Sequence, residues 1–279
     1  MRLCALFGNP VGHSLSPLIH NHLFKKYNLA YYYEAFEIFD LKKAVDFLRA
    51  NELRGVSITI PFKTEIIQYL DDLSVLAQQV AAVNTIVNNN GRLFGDNTDC
   101  FGIIEALKRN HCDLQNKNAV VIGSGGAALA AIFSILSTFK LKSLTIVARN
   151  NNKLQEIIGH LKKAKFYNLC EIKIQQLTNA KYSLKIDDDF IFNATSVGMH
   201  PNISDCIVDF ADTDCLNLKD KIFFDVVYNP RETEMLKLAA MRGAKIIGGL
   251  DMFIYQALKQ HYLWTDNQAT YQDIFEVLN

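Results

Sequence analysis

The 279-residue chain has no apolar run long enough to cross a membrane as a helix. A span needs about 20 residues, and the most apolar helical stretch, Ala127 to Leu136, falls well short. The start, Met1-Arg2-Leu3-Cys4-Ala5-Leu6-Phe7-Gly8-Asn9-Pro10, is too short in its apolar part for a secretory signal and reads as a first strand. The six cysteines are scattered, with no Cys-x-x-Cys pair, which argues against a zinc knuckle and against a disulfide framework. A reducing cytoplasm fits that usage. Charge of one sign is missing too. Lysine plus arginine equals aspartate plus glutamate at 29 each, without a dense basic run, so nucleic acid is a poor partner. No internal repeat or low-complexity tract stands out. What the chain does have is 49% hydrophobic residues, enough for a substantial core in one large domain or two small ones.

Short β-rich runs alternate with amphipathic stretches, the pattern of an α/β protein. In the first third, strands are expected over 3–8, 31–38 and 56–60, with helices over 17–27 and 41–50. Asn90-Gly91, between 85–87 and 92–94, is a hairpin signal and adds an antiparallel element. After a helix over 101–109 a second series begins. Strands are expected over 118–122, 143–148, 190–194 and 222–227, with helices over 126–138, 153–163 and 233–241. Such a βαβ series predicts a parallel, doubly wound sheet. Terminal helices over 250–264 and 271–278 follow.

After the strand at 118–122, Gly123-Ser124-Gly125-Gly126-Ala127-Ala128 spells G-x-G-x-x-A. The first glycine permits a tight turn, the second lets backbone amides approach a pyrophosphate, and small Ala128 lets helix and strand pack closely. The helix N-terminus then offers unpaired amides and a partial positive charge to the phosphates. A plain tight turn could use the same glycines; the flanking strand and helix favour a nucleotide. The next strand ends Ala148-Arg149-Asn150-Asn151-Asn152-Lys153, without the acid that usually takes the ribose 2′-hydroxyl of NAD. Arg149 and Lys153 could form an ordinary solvated basic loop, but at this position they favour the 2′-phosphate of NADP.

Near the N-terminus, Gly12-His13-Ser14-Leu15-Ser16-Pro17 puts two hydroxyls ahead of a helix. Ser16 before Pro17 is also an ordinary cap with proline at the first helical position, which leaves Ser14 unexplained. Two hydroxyls at a helix start can together hold a carboxylate. His13, His20 and His22 do not make a metal site, because residues two apart on a helix do not face each other. In 55–63, alternation sets Ser57 and Thr59 on one face and Val56, Ile58 and Ile60 on the other. Pro61 stops the strand, and Lys63 emerges beyond it, where a lone lysine would ordinarily be a solvated surface charge. Asp99 stands at a loop-to-helix start, a place where Thr98 or Asp99 could simply cap the helix.

Order and spacing make these pieces recognisable. The chain resembles shikimate dehydrogenase over essentially its full length. The matching runs are G-x-P-x-x-H-S-x-S-P-x-x-H-N at 8–21, a V-T-x-P-F-K-like run at 56–63 and A-V-N-T at 82–85. G-x-N-T-D-x-x-G at 95–102, G-x-G-G-A at 123–127 and N-A-T-S-x-G-M at 193–199 follow in order. D-V-V-Y-N-P at 225–230 and G-G-L-D-M-F-x-x-Q at 248–256 complete the set. Any one could arise by chance; eight in order do not.

The resemblance implies hydride exchange between NADP(H) and the pair shikimate and 3-dehydroshikimate, in aromatic amino acid biosynthesis and without a metal. It assigns Ser14 and Ser16 to the substrate carboxylate, with Tyr228 near that end. Thr59, Asn84, Asp99 and Gln256 would bind ring hydroxyls, and Lys63 with Asp99 would be the catalytic pair. Cofactor contacts would come from Gly123, Ser124, Gly125, Gly126 and Ala127 of the loop, and from Ala148, Arg149, Asn150 and Lys153 after the second strand. Thr195, Val226 and Gly249 would add to them, Gly249 toward the nicotinamide.

The implied fold is α/β in two domains separated by a cleft. A Rossmann-type doubly wound parallel sheet over 101–244 would bind NADP, and a smaller α/β substrate domain would span 1–100 and be rejoined by helices over 245–279. The assembly is left open, a homodimer among the options. Two rivals share the fold. Arg149 disfavours an NAD-preferring quinate/shikimate dehydrogenase, and the presence of Lys63, Asp99 and the paired serines disfavours a catalytically silent NADP-binding regulatory module.

There are two departures from the family pattern. The N-R-T-x-x-R cofactor stretch appears as 148–153, keeping the charges and losing two side chains. Position 57 is Ser where the family generally has Asn. Ser57 should face the substrate, with an ordered water filling the missing reach.

Overall fold

The computed structural model describes residues 1–210 and 218–278; residues 211–217, inside the expected cofactor domain, and residue 279, inside the expected C-terminal return, lie outside the described residues. The chain runs β1 (Arg2–Gly8), α1 (Ser16–Lys26), β2 (Tyr31–Glu37), α2 (Leu41–Ala50) and β3 (Gly55–Ile58). A 3-10 helix (Glu65–Tyr69), β4 (Asp72–Leu73) and α3 (Val75–Val80) precede the hairpin of β5 (Thr85–Asn89) and β6 (Arg92–Asp96). Then come α4 (Thr98–Arg109), β7 (Asn118–Ile122), α5 (Gly126–Thr138), β8 (Ser143–Ala148), α6 (Asn151–Lys163) and β9 (Glu171–Gln176). Next are β10 (Tyr182–Ser183), β11 (Phe190–Asn193), β12 (Val208–Asp209) and β13 (Ile222–Asp225). Last are α7 (Glu234–Met241), β14 (Lys245–Ile247), α8 (Gly249–Thr265) and α9 (Tyr271–Leu278). The chain divides into two compact units: an N-terminal unit, Met1–Gly102 with Ile254–Asn279, and a central unit, Ile103–Phe253.

The sheet of the N-terminal unit runs β2-β1-β3-β5-β6-β4. β1 pairs parallel with β2 and β3, and β5 antiparallel with β3 and β6. The hairpin turns at Asn90 and Gly91, whose φ of 54° and 90° supply the left-handed pair that a tight hairpin needs. β1 is buried on both faces. Ala5 and Phe7 join Val56, Ile58 and the α2 residues Val45 and Leu48, while Cys4 and Leu6 join Phe24 of α1 and Trp264 of α8. Helices on both sides explain why this strand reads as a continuous apolar run. α8 can lie so close because Gly55 has no side chain; a Cβ there would stand 2.0 Å from Trp264 Nε1. The indole donates to the Ile86 carbonyl at 3.0 Å, and removing a buried side chain of this size costs about 3–5 kcal/mol. Asp273 ties α9 to α1 by accepting from Lys26 Nζ and the Tyr27 hydroxyl, each at 2.6 Å.

In the central unit the order is β9-β8-β7-β11-β13-β14, with every pair parallel. Counted by sequence within this sheet, that is 3-2-1-4-5-6, the Rossmann-type doubly wound arrangement. β10 and β12 pair separately. Chain order reverses between β7 and β11, and a sheet of this kind takes its ligand at the carboxyl ends of the strands there. β8 and β11 are buried along their whole length. α5 is buried from Ala128 to Leu136, as its apolar character on all sides requires.

Candidate active site

β1 and β3 are neighbours, so the loops leaving their carboxyl ends lie side by side. The Asn9 amide donates to the Ile60 carbonyl at 2.9 Å. Gly8 permits this approach: a Cβ on it would meet Thr59 Cγ2 at 2.1 Å and the Ile60 carbonyl oxygen at 3.2 Å. One loop carries Ser14 and Ser16, the other Thr59 and Lys63. α1 starts at Ser16, one residue before the expected start, and Leu15 holds the cap position without a side-chain bond. The cap role open to Ser16 is therefore corrected. Its amide donates to the Ser14 hydroxyl oxygen at 3.2 Å, and its side chain is buried.

Lys63 Nζ lies 2.5 Å from Asp99 Oδ2, with side chains only 16% and 5% exposed. A solvated surface lysine is ruled out by that burial. Asn84 Nδ2 donates to the other carboxylate oxygen at 2.8 Å and to Thr98 Oγ1 at 3.0 Å. Asn84 Oδ1 accepts from the Thr98 amide at 2.7 Å and from the Thr85 hydroxyl at 2.8 Å. Asp99 occupies the first turn of α4, where the helix dipole favours a carboxylate. Neither Thr98 nor Asp99 caps this helix. The Asn97 side chain accepts from the Cys100 amide at 3.3 Å, which leaves both for the cluster. Asn84, expected to bind a ring hydroxyl, is 2% exposed and commits both amide hydrogens inside the network; a hydroxyl could be bound only by displacing one of them. Thr59 is half-buried, and Gln256 on α8 is buried.

Ser57 is buried as well, which corrects the expectation of a substrate-facing side chain extended by a water. The Tyr33 hydroxyl donates to its Oγ at 2.7 Å, and Ser57 donates to Gln260 Oε1 at 2.9 Å. Neither partner had a signal of its own in the sequence. Tyr33 reads as a strand aromatic, and Gln260 as one more polar residue of a terminal helix.

In the central unit, Gly123 has φ +135°, and a Cβ there would stand 3.0 Å from the Ala194 carbonyl oxygen, so the turn after β7 is made for glycine. Gly125 differs. Its φ is −88°, and a Cβ on it would meet nothing within 4 Å. The packing of the chain does not itself require a glycine there. Gly125 caps α5 with no side-chain bond to the first-turn amides, and a helix start of this kind suits an anion. Beyond β8, whose last residue Ala148 is buried, Arg149 is exposed and makes no ion pair among the described residues. Lys153 Nζ lies 2.7 Å from Glu156. Asn150, expected to touch the cofactor, is the cap of α6 and accepts from the Asn152 and Lys153 amides at 2.9 and 3.2 Å. An amide-rich helix start followed by an exposed guanidinium, without an ion pair among the described residues, fits NADP.

Asn193 Oδ1 accepts from the Thr195 amide at 3.0 Å and hydroxyl at 2.6 Å, while its Nδ2 donates to Asp225 Oδ1 at 3.0 Å. Asp225 also accepts from the Val227 amide at 3.0 Å and the Thr233 hydroxyl at 2.7 Å. Burial pushes its carboxyl up to about 6, against the opposing effect of those hydrogen bonds. One buried carboxylate thus pins the turns that carry Thr195 and Val226. Neither Asp225 nor Thr233 stands out in the sequence as part of a site: Asp225 lies in the D-V-V-Y-N-P run, and Thr233 lies beyond it. Gly249 lies against the same turn, where a Cβ would be 2.3 Å from the Val226 carbonyl oxygen. Tyr228 stacks on Phe253 with ring centroids 4.3 Å apart.

The fold and these constellations define a dinucleotide-dependent oxidoreductase of the Rossmann class. Residues 6–86 match the family model of the shikimate dehydrogenase substrate binding domain. A shikimate dehydrogenase (NADP(+)) of Geobacillus sp. (strain WCH70) is 38% identical over 268 residues, which cover 95% of this chain and 92% of that protein. The shikimate 5-dehydrogenase of Listeria monocytogenes, solved in complex with shikimate and NAD, is 33% identical with a TM-score of 0.85, over 100% of this chain and 96% of that one. Its counterpart from Thermus thermophilus, solved with NADP(H) and shikimate, is 28% identical with a TM-score of 0.82, over 99% and 98%. The chain belongs to the shikimate dehydrogenase family.

Proposed function

We propose that the protein interconverts shikimate and 3-dehydroshikimate with NADP(H), in the biosynthesis of chorismate and the aromatic amino acids. The observation that carries this reading is the Lys63–Asp99 pair, 2.5 Å apart and little exposed, with Lys63 on the turn after β3 and Asp99 in the first turn of α4. Ser14 and the amide-rich start of α1 hold the substrate carboxylate, with Ser16 shaping the turn. Thr59 and Gln256 take ring hydroxyls, and Asn84 holds Asp99. In the reduction, Lys63 hydrogen-bonds the C3 carbonyl oxygen, stabilises its developing negative charge and gives it a proton. In the oxidation Lys63 accepts that proton. Asp99 orients the ammonium throughout and accepts a substrate hydroxyl.

Bound NADPH supplies the hydride. The α5 amides take its pyrophosphate, Arg149 its 2′-phosphate with help from Lys153, and Thr195, Val226 and Gly249 border the remainder. We place the enzyme in the cytoplasm: no described helix is long and apolar enough to cross a membrane, and the five described cysteines form no disulfide.

Initial rates with shikimate or quinate, each paired with NADP or NAD, test the reading. Shikimate with NADP should be the fastest pair. Quinate with NAD as the fastest pair would replace the proposed substrate and cofactor, and no turnover with any pair would leave a regulatory module.

A further inference from the structure

A chain of hydrogen bonds in the N-terminal unit starts on a strand aromatic and ends at the Lys63–Asp99 pair. Its polarity follows from the carboxylate, which only accepts. Asn84 must therefore present its amino group to Asp99 Oδ1, at 2.8 Å, and its Oδ1 to the Thr85 hydroxyl, also at 2.8 Å. Thr85 donates that hydrogen, so its oxygen accepts from Gln260 Nε2 at 3.0 Å. The second Gln260 hydrogen goes to the Asn84 carbonyl at 3.2 Å. That orientation turns Gln260 Oε1 toward Ser57, which donates to it at 2.9 Å and accepts from Tyr33 at 2.7 Å. Every link from Tyr33 to Asp99 is at most 4% exposed, so a missing link would leave buried polar groups without partners.

Gln260 is the only link in this chain that comes from α8. Ser57 and Thr85 are opposite each other in the β3–β5 pairing, where facing Cβ atoms lie about 4.5–5.5 Å apart. Here the two hydroxyls are joined through the Gln260 carboxamide, which accepts from Ser57 and donates to Thr85. An asparagine at 57 would carry its own carboxamide into the same space.

We propose that Gln260 is a positioning residue for the reaction: it fixes Asn84, and through it Asp99 and Lys63, by supplying from the helix the carboxamide that position 57 lacks. The inference rests on the reading of Lys63 and Asp99 as the reacting pair. It implies reciprocity. An amide from the strand or from the helix completes the chain, whereas both together overfill a buried site.

The test is a double-mutant cycle on the full chain, read by initial rates of 3-dehydroshikimate reduction with NADPH and by thermal midpoints. Gln260→Ala should lower kcat about 10-fold, as small misplacements of reacting groups do, while the KM for NADPH stays the same. Ser57→Asn alone should also be slow and less stable. The double variant should recover kcat to within about 3-fold of the starting enzyme, a coupling that independent sites do not show. A Gln260→Ala protein that loses stability but keeps kcat overturns the proposal, and so does a double variant no faster than Gln260→Ala. Should Gln260→Ala not fold, the double variant decides alone: near-normal turnover supports the swap, and an inactive or unfolded protein ends it. Failure of the underlying reading is seen separately, as normal kcat in Lys63→Ala with the 57–260 coupling still present in the thermal midpoints.

Discussion

In the N-terminal unit, Lys63, Asp99, Asn84 and Thr98 are bonded to one another at 2.5–3.0 Å. In the central unit the turn from Gly123 into α5 offers uncapped amides and, at Gly125, open space. The contrast follows from what each must do. Proton transfer needs groups held within about 0.5 Å and 10–20° of the productive geometry, which takes interlocked side chains. A dinucleotide needs several amides aimed at phosphates, which takes bare backbone.

The largest test of that contrast is Lys63→Ala, which should lower kcat by at least ~100-fold with a smaller change in KM. Normal turnover with lost substrate affinity would make Lys63 a binding residue and remove the interlocked chemistry from the comparison. Arg149→Ala comes next. It should weaken NADP binding by about 1.5–3 kcal/mol, the size of a charge-assisted phosphate contact, and leave NAD use nearly unchanged. Equal losses for both cofactors would break the assignment.

Two glycines sharpen the comparison further. Gly125→Ala should lower the thermal midpoint only by the small cost of a poorer cap, since a Cβ there meets nothing within 4 Å, yet raise the KM for NADP about 10-fold, or about 1.4 kcal/mol. Gly55→Ala should do the reverse. Its methyl collides with the Trp264 indole, and overpacking of this kind costs about 1–3 kcal/mol of stability with no direct effect on cofactor affinity.

These features were unequally legible in the sequence. The glycine turn could be read because its geometry is local, whereas Lys63 could be read only through the resemblance, since β3 ends at Ile58 and a lone lysine beyond it carries no signal. β9, Glu171–Gln176, was not read as a strand: it is an edge strand with mostly exposed side chains, so its sequence, EIKIQQ, lacks the apolar signal of its neighbours. The caps were harder. Asn97, Thr98 and Asp99 are all good candidates, and only the pull of Asn84 on the Thr98 amide decides among them. Ser57 was misread because its environment depends on α8 returning to the first sheet. Gly249 belongs to the central unit, while the same helix from Ile254 onward belongs to the N-terminal unit, and no local pattern announces such a return.

The smallest expected effect is a difference in how the two units respond to acid. His20 is buried between the rings of Tyr33, at 4.6 Å, and Trp264, at 5.1 Å. Burial, and then the neighbouring His261, lower its pKa from 6.5 to about 3. As pH falls, the unfolded chain binds this proton first, so the stability His20 contributes is complete above 6.5 and is lost progressively toward 3. His261, also lowered by burial, has the same sign. Asp225 has the opposite one. Its carboxyl, raised from 3.8 to about 6 by burial, protonates first in the folded state, so this group adds stability as pH falls from about 6 to 3.8. Asp188, raised by burial, acts likewise in the central unit. Between pH 6.5 and 4 the N-terminal unit should therefore weaken relative to the central one. Trp264, the single tryptophan of the chain, is fully buried in the N-terminal unit, so its fluorescence follows that unit while far-UV circular dichroism follows both. In urea at pH 5 the fluorescence midpoint should fall below the dichroism midpoint, with a smaller gap at pH 7.5. His20→Phe keeps a ring in the stack and should remove most of the shift, whereas Asp225→Asn, which no longer titrates, should abolish the part of the central unit's gain that develops between about pH 6 and 4. A fluorescence midpoint equally pH-dependent with and without His20 would assign the acid sensitivity to other groups and leave the two units alike in this respect.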